Sequence, residues 1–366
     1  MRPLALLPLV VTVACATTRQ PNLAFLTHEQ WEAEVRARGV DPREVGNPLL
    51  VTVGMQEFAS RVAGIGTPTE RLDRLQRALF DSQAFPFSYE NRGNFTAAEA
   101  FYRRQGNCLS FTNLFVALGR SLGIPITTAL VTRVRGSERE GDLIVVNTHV
   151  IAVLSHAGGV NVYDFERSRN EQVRAFVPLD DLWITALYLN NRGAEELRAG
   201  RLEAALRFFQ NAVKLVPAFA GAWGNLGVAR RRLGDRDGAM AAYAEALRLE
   251  PGNPTVLTNL AALYRSLNRE AEAQAALAAA NMDLASPHVL LVRGDLELAR
   301  GRLEEARRLF RTARRRQPSL PEAWVGLARV ELARDRPERA RRYLAKALAL
   351  DPTNPQALAL QAKFPS

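Results

Sequence analysis

Three residues in the middle of this chain have the side chains needed to break an amide bond together. Gly106-Asn107 interrupts the chain, and apolar residues then recur at helical spacing: Leu109, Phe111, Leu114, Phe115, Leu118 and Leu122. The spacing predicts a helix that opens at or next to Cys108. Unpaired amides and the helix dipole favour an anion at such a place, which suits a thiol to nucleophilic attack. After Pro125 the pattern turns to strand, over 126–134, 143–154 and 160–165, with Ser155 to Gly159 as a hairpin turn. Centring that turn on His156 and Ala157 sets Val153 opposite Val160, Ile151 opposite Val162 and His149 opposite Asp164. Direct cross-strand partners have Cβ atoms roughly 4.5–5.5 Å apart on one face. Cys108 would then be the nucleophile, His149 would take and return its proton, and Asp164 would orient the imidazole. The backbone N–H of Cys108 would hold the oxyanion, with Gln105 or Asn107 as candidates for a further donor.

Other groups offer less. Glu166, two residues past Asp164, is a second carboxylate candidate. His28 opens a helix, His156 sits in a turn and His288 lies in the second half, so none competes with His149. Ser110 is expected to face elsewhere on the helix than Cys108. The sequence holds no phosphate-binding glycine loop, HExxH helix or Ca²⁺ loop, and no cofactor or metal is expected.

The elements that must position these residues divide the chain in two. In the first half, 28–38 reads as a helix opened by Thr27, and 48–62 and 69–84 as two more. Residues 85–94 read as a loop. The second half repeats itself with a period near 34. Trp223, Leu226, Gly227, Ala239, Tyr243, Ala246 and Pro251 return as Trp324, Leu327, Ala328, Ala340, Leu344, Ala347 and Pro352. Gly193, Ala205, Phe209, Ala212 and Pro217 precede them, and Gly294, Ala306, Phe310, Ala313 and Pro318 fall between. The pattern resembles the tetratricopeptide repeat: five units over 186–354, the third one residue short, with a capping helix over 355–366. That resemblance implies a concave groove that takes a protein or peptide partner. Arg231, Arg232 and Arg265 are expected to make part of it, or its rim, basic.

The chain opens with Arg2 and an apolar run from Leu4 to Val13, then Ala14-Cys15. This is the layout of a secretory signal, too short to span a bilayer at about 20 residues. Thr12-Val13-Ala14-Cys15 resembles a bacterial lipobox. That implies a signal over 1–14, lipidation of Cys15, a tether over 15–21, and an outer-membrane lipoprotein facing the periplasm. Cys108 is then left without an intramolecular partner.

The stretch GNCLSFTNLFVALGRSLGIP, followed by NTHVIAVL and VYDFE, resembles the transglutaminase-like superfamily on its papain-like scaffold. The resemblance places that family's nucleophile, histidine and aspartate on Cys108, His149 and Asp164. The tryptophan that commonly follows the family's histidine is absent, since Val150-Ile151 follows His149. The expected architecture is an α+β transglutaminase-like domain over 22–185 and an all-α repeat solenoid over 186–354. The expected activity is thiol-dependent amide hydrolysis or acyl transfer. The alternative is a protein-binding scaffold that uses the repeat groove and carries an inert triad.

Composition sets the outer limits. The chain has 366 residues, 47% of them hydrophobic, and two cysteines, which excludes a disordered chain or a disulfide scaffold. The net charge of +10 invites a nucleic-acid partner. Most of its arginines, however, sit beside Glu at helical spacing and read as solvated faces, and no basic stretch is interleaved with aromatics. No nucleic-acid partner is expected.

Overall fold

The computed structural model describes residues 25–363, leaving out 81–84, 91–92, 132–136, 141–142, 147–148, 157–158, 165–175, 251–252 and all but 287, 290, 291, 294 and 298 of 281–300. The expected signal, tether and lipidated Cys15 lie outside the described residues, as does Glu166. No helix among the described residues is long and apolar enough to cross a membrane.

Four helices come first: α1 (His28–Ala37), α2 (Pro42–Val45), α3 (Val53–Ala63) and α4 (Pro68–Phe80). Thr27 caps α1 with a reciprocal capping box to Gln30. The helix expected from residue 48 starts only at Val53, because Thr52 takes the Met55 N–H and Asn47 turns the chain by accepting the Leu49 N–H. The segment expected as loop contains a two-residue strand, β1 (Ser88–Tyr89). After α5 (Ala97–Arg103), β1 pairs in parallel with β2 (Gln105–Gly106).

Next comes α6 (Cys108–Ser121), buried without interruption from Leu109 to Gly119. It packs on β3 (Ile126–Val131) and β6 (Val150–His156). The strand expected over 143–154 is two: β5 (Leu143–Val146), which pairs with β4 (Ser137–Glu140), and β6. With β7 (Gly159–Tyr163) and β8 (Phe176–Pro178), the main sheet has the antiparallel order β7-β6-β3-β8. Alternation along its strands separates two faces. Ile126, Ala152, Leu154 and Tyr163 join the core under α6, with Met55, Leu72 and Phe115. Ala129, Val131, Ile151 and Val153 pack with Phe176 apart from it.

A continuous helix, α7 (Asp181–Arg198), then opens the repeats, so the boundary expected between 185 and 186 falls inside a helix. The pairs are α7 with α8 (Leu202–Leu215), α9 (Ala220–Arg232) with α10 (Arg236–Leu249), and α11 (Pro254–Ser266) with α12 (Glu270–Ala279). Further along, α13 (Leu303–Arg316) precedes the pair α14 (Pro321–Ala333) and α15 (Pro337–Leu350). The short α16 (Pro355–Gln361) lays Ala357 and Leu360 on the last core.

One volume rule runs through the array. A Cβ on Gly193 would stand 2.7 Å from Phe209, one on Gly227 2.5 Å from Tyr243, and one on Gly294 2.6 Å from Phe310. In each of these three units a glycine receives an aromatic ring sixteen residues further on. In the two units where alanine replaces glycine, the corresponding partners are leucines: Ala261 with Leu277 and Ala328 with Leu344, each pair in one cluster. What one side gains in volume the other gives up, which keeps the packing full.

Candidate functional site

Cys108 is the first residue of α6, half-buried, with Asn107 as the N-cap. The first intrahelical bond runs from the Phe111 N–H to the Asn107 carbonyl, so the Cys108 amide precedes the helical ladder. Gly106 approaches this turn closely: a Cβ there would lie 2.5 Å from the Ser110 Cβ. Only glycine brings β2 into the helix start at that distance.

His149 stands at the entry to β6. Its backbone continues the ladder with β3, because the Val131 N–H donates to the His149 carbonyl at 3.0 Å. Its ring turns Nε2 to Asp164 Oδ2 at 2.9 Å, with both side chains largely covered (11% and 18% exposed). Asp164 follows β7, and its carbonyl accepts from Gln76 of α4 at 3.4 Å. The bond to Asp164, and then one to the Cys108 thiol, push His149 up to about 9 against the opposing effect of burial. The imidazole therefore holds the carboxylate through Nε2, with the Cys108 thiol near enough to favour its protonated form.

The structure thus brings Cys108, His149 and Asp164 together, by a register different from the expected one. The hairpin pairs Val153 with Val162, Ser155 with Val160 and His156 with Gly159. The register is shifted by two residues from the expected one. Because the shift is even, His149 and Asp164 keep the same side and meet as diagonal neighbours.

Asn107 is engaged at the helix end. Its Oδ1 accepts the Ser110 N–H at 3.0 Å and its Nδ2 donates to Asn94 Oδ1 at 2.8 Å. That uses the oxygen and one of the two N–H groups of the carboxamide. Gln105 lies half-buried in β2, three residues before Cys108. Ser110 faces away from the thiol, as expected. It is fully buried, and its Oγ accepts the Phe95 N–H at 2.8 Å and donates to the Gly93 carbonyl at 2.9 Å.

Sequence reasoning missed Asn94 and Glu195. Glu195 of α7 accepts from the Gly93 N–H, the Asn94 N–H and Asn94 Nδ2 at 3.0, 2.9 and 2.8 Å. Nothing local announces a contact across about 100 residues, although Asn107 three before Ser110 does carry a cap signal. In the repeats, Arg232 Nη1 donates to the Leu197 carbonyl at 3.3 Å. A cleft of about 590 Å³ lies along α13, lined by Arg307, Arg308, Arg311, Arg314 and Arg315 with Glu304 and Tyr343. Among the described residues no cluster of His, Cys, Asp or Glu could hold a metal ion.

Residues 56–163 match the transglutaminase-like superfamily, and 190–254, 230–296 and 297–364 match the tetratricopeptide repeat. The chain is a transglutaminase-like domain followed by tetratricopeptide repeats, which mediate protein interactions. Cys108 and His149 fall inside the first match and Asp164 directly after it. Similar solved structures include pilF of Pseudomonas aeruginosa, 22% identical, covering 48% of this chain and 80% of that one, with a TM-score of 0.43. A thermophilic TPR protein of Thermus thermophilus is 22% identical and covers 48% and 97%, with a TM-score of 0.44. YrrB, a TPR protein with an unusual peptide-binding site, is 21% identical and covers 48% and 92%, with a TM-score of 0.36.

Proposed function

We propose that this protein is a thiol-dependent amide hydrolase or acyltransferase whose repeats recruit a protein partner. The observation that carries the reading is the bond from His149 Nε2 to Asp164, with the Cys108 thiol beside the same ring. Asp164 fixes the ring so that the other nitrogen serves the sulfur. The thiolate adds to the amide carbon, and the Cys108 backbone N–H in the first turn of α6 receives the oxyanion, with Gln105 as a candidate second donor. His149 gives its proton to the leaving nitrogen as the C–N bond breaks, which leaves a thioester. His149 then takes a proton from water, the hydroxide adds, and collapse returns the thiol and a carboxylic acid. Water is the default acceptor.

The partner reading rests on the repeats. Attachment to the bacterial outer membrane rests on the apolar run before Cys15. Palmitate labelling that disappears in Cys15→Ser supports it, and labelling retained in that variant contradicts it.

The activity is tested on a mixed peptide-amide library by amine or ammonia release, with the Cys108 peptide weighed after acid quench. Release with an acyl mass on Cys108, both lost in a folded Cys108→Ala protein, is the expected result. Release unchanged in Cys108→Ala would refute a thiol mechanism.

A further inference from the structure

The nucleophile's helix is tied at both ends to the first helix of the repeats. At the far end of α6, Arg120 Nη1 donates to Asp181 Oδ1 at 2.7 Å, in the first turn of α7. At the near end, the three N–H groups of Gly93 and Asn94 meet Glu195, in the last turn of α7. At 1.5 Å per residue, the stretch from 181 to 195 spans about 21 Å and that from 107 to 120 about 20 Å. The two helices thus match in length between their ties.

The Glu195 tie has a direction. A carboxylate only accepts, so Asn94 must turn its NH2 toward Glu195 and its oxygen away. That oxygen takes Nδ2 of Asn107 at 2.8 Å, which leaves Asn107 Oδ1 to accept the Ser110 N–H at 3.0 Å. One charge on the repeats therefore sets the orientation of two amides, and the second is the cap of the helix that starts with Cys108. The line is shielded, with Asn94 6% and Ser110 0% exposed. With Glu195 gone, Asn94 is free to flip, Asn107 loses its fixed donor, and the first turn loosens where the sulfur must meet His149.

We infer that Glu195 is a positioning residue of the Cys108 site, so that the repeat region is part of the catalytic unit and not only a recruiting arm. The inference rests on the thiol reading above. The test is Cys108 alkylation by iodoacetamide against pH in the full chain, alongside amide hydrogen exchange at Gly93, Asn94 and Ser110. Glu195→Ala should slow alkylation at pH 6.5 by about tenfold and raise exchange at all three amides, with the far-UV spectrum unchanged. Glu195→Gln keeps an accepting oxygen and should restore the rate to within about threefold. If Glu195→Ala loses the fold, Glu195→Asp replaces it, because it withdraws the charge by one methylene and should slow alkylation in the same direction. A folded Glu195→Ala protein with the wild-type pH profile would overturn the inference. If His149→Ala also leaves alkylation unchanged, the thiol reading itself fails. The Ser110 amide then decides the Glu195 tie alone, and unchanged exchange there overturns it.

Discussion

At the scale of single residues, the site turns on the two neighbours of one imidazole. His149 is raised to about 9 first by Asp164 and then by Cys108. A raised folded value means that the proton stabilises the fold. That contribution is complete below about 6.5, the ordinary histidine value, and is lost as pH rises through about 9. Thermal unfolding of the wild type should therefore weaken between pH 7 and 9.5 by more than that of His149→Gln. Parallel curves would contradict the bonding seen here. Asp164→Asn removes the larger cause, so the imidazole should titrate closer to 6.5 by NMR and turnover should fall by about 10²–10⁴-fold. Cys108, His149 and Asp164 were legible because each has a rare chemistry in a readable element. Asn107 was legible as a helix end, but its role was not. Whether a carboxamide caps or waits for substrate depends on its other neighbour, and Asn94 lies in a loop.

At the scale of elements, periodicity located α6 and the helices of the repeats, since their apolar faces are continuous. It failed at ends governed by turn chemistry. Thr52 and Asn47 delay α3, and the β6–β7 register stands two residues from the expected one. The shift is harmless to the site only because it is even. The repeats give a sharper rule, in which glycine accepts a ring and alanine accepts leucine. Gly227→Ala should cost about 1–3 kcal/mol by overpacking against Tyr243. Pairing it with Tyr243→Leu, the combination used in the units of Ala261 and Ala328, should recover more than half of the loss in a double-mutant cycle. Strict additivity in denaturant unfolding would show that the two positions do not compensate.

At the scale of the whole molecule, the sequence divides the chain into two regions, and α7 runs across the expected boundary between 185 and 186. Repeats announce themselves by period, but the surface on which the first repeat rests does not. The core of that region reaches Trp31, Leu109 and Val150, with Cys108 packed against it. Trp31 Nε1 donates to Thr185 inside α7 at 2.9 Å. Arg120, whose own ionisation is pulled down by burial, keeps Asp181 as its counter-ion beneath the ring of Phe25. Asp181→Ala leaves that guanidinium unpaired and should cost about 3–5 kcal/mol in chemical denaturation. It should loosen both halves in one transition, whereas two separate transitions would mean that the halves fold independently. The account as a whole stands on a thiol activated by His149. The direct measurement is the rate of Cys108 alkylation by iodoacetamide from pH 5.5 to 9, located by peptide mass, in the wild type and in His149→Ala. The account predicts alkylation at pH 6 at least about tenfold faster than for a free thiol of pKa about 8.5, and a return to the free-thiol profile in the variant. An unreactive thiol, or a free-cysteine profile in both proteins, would contradict it.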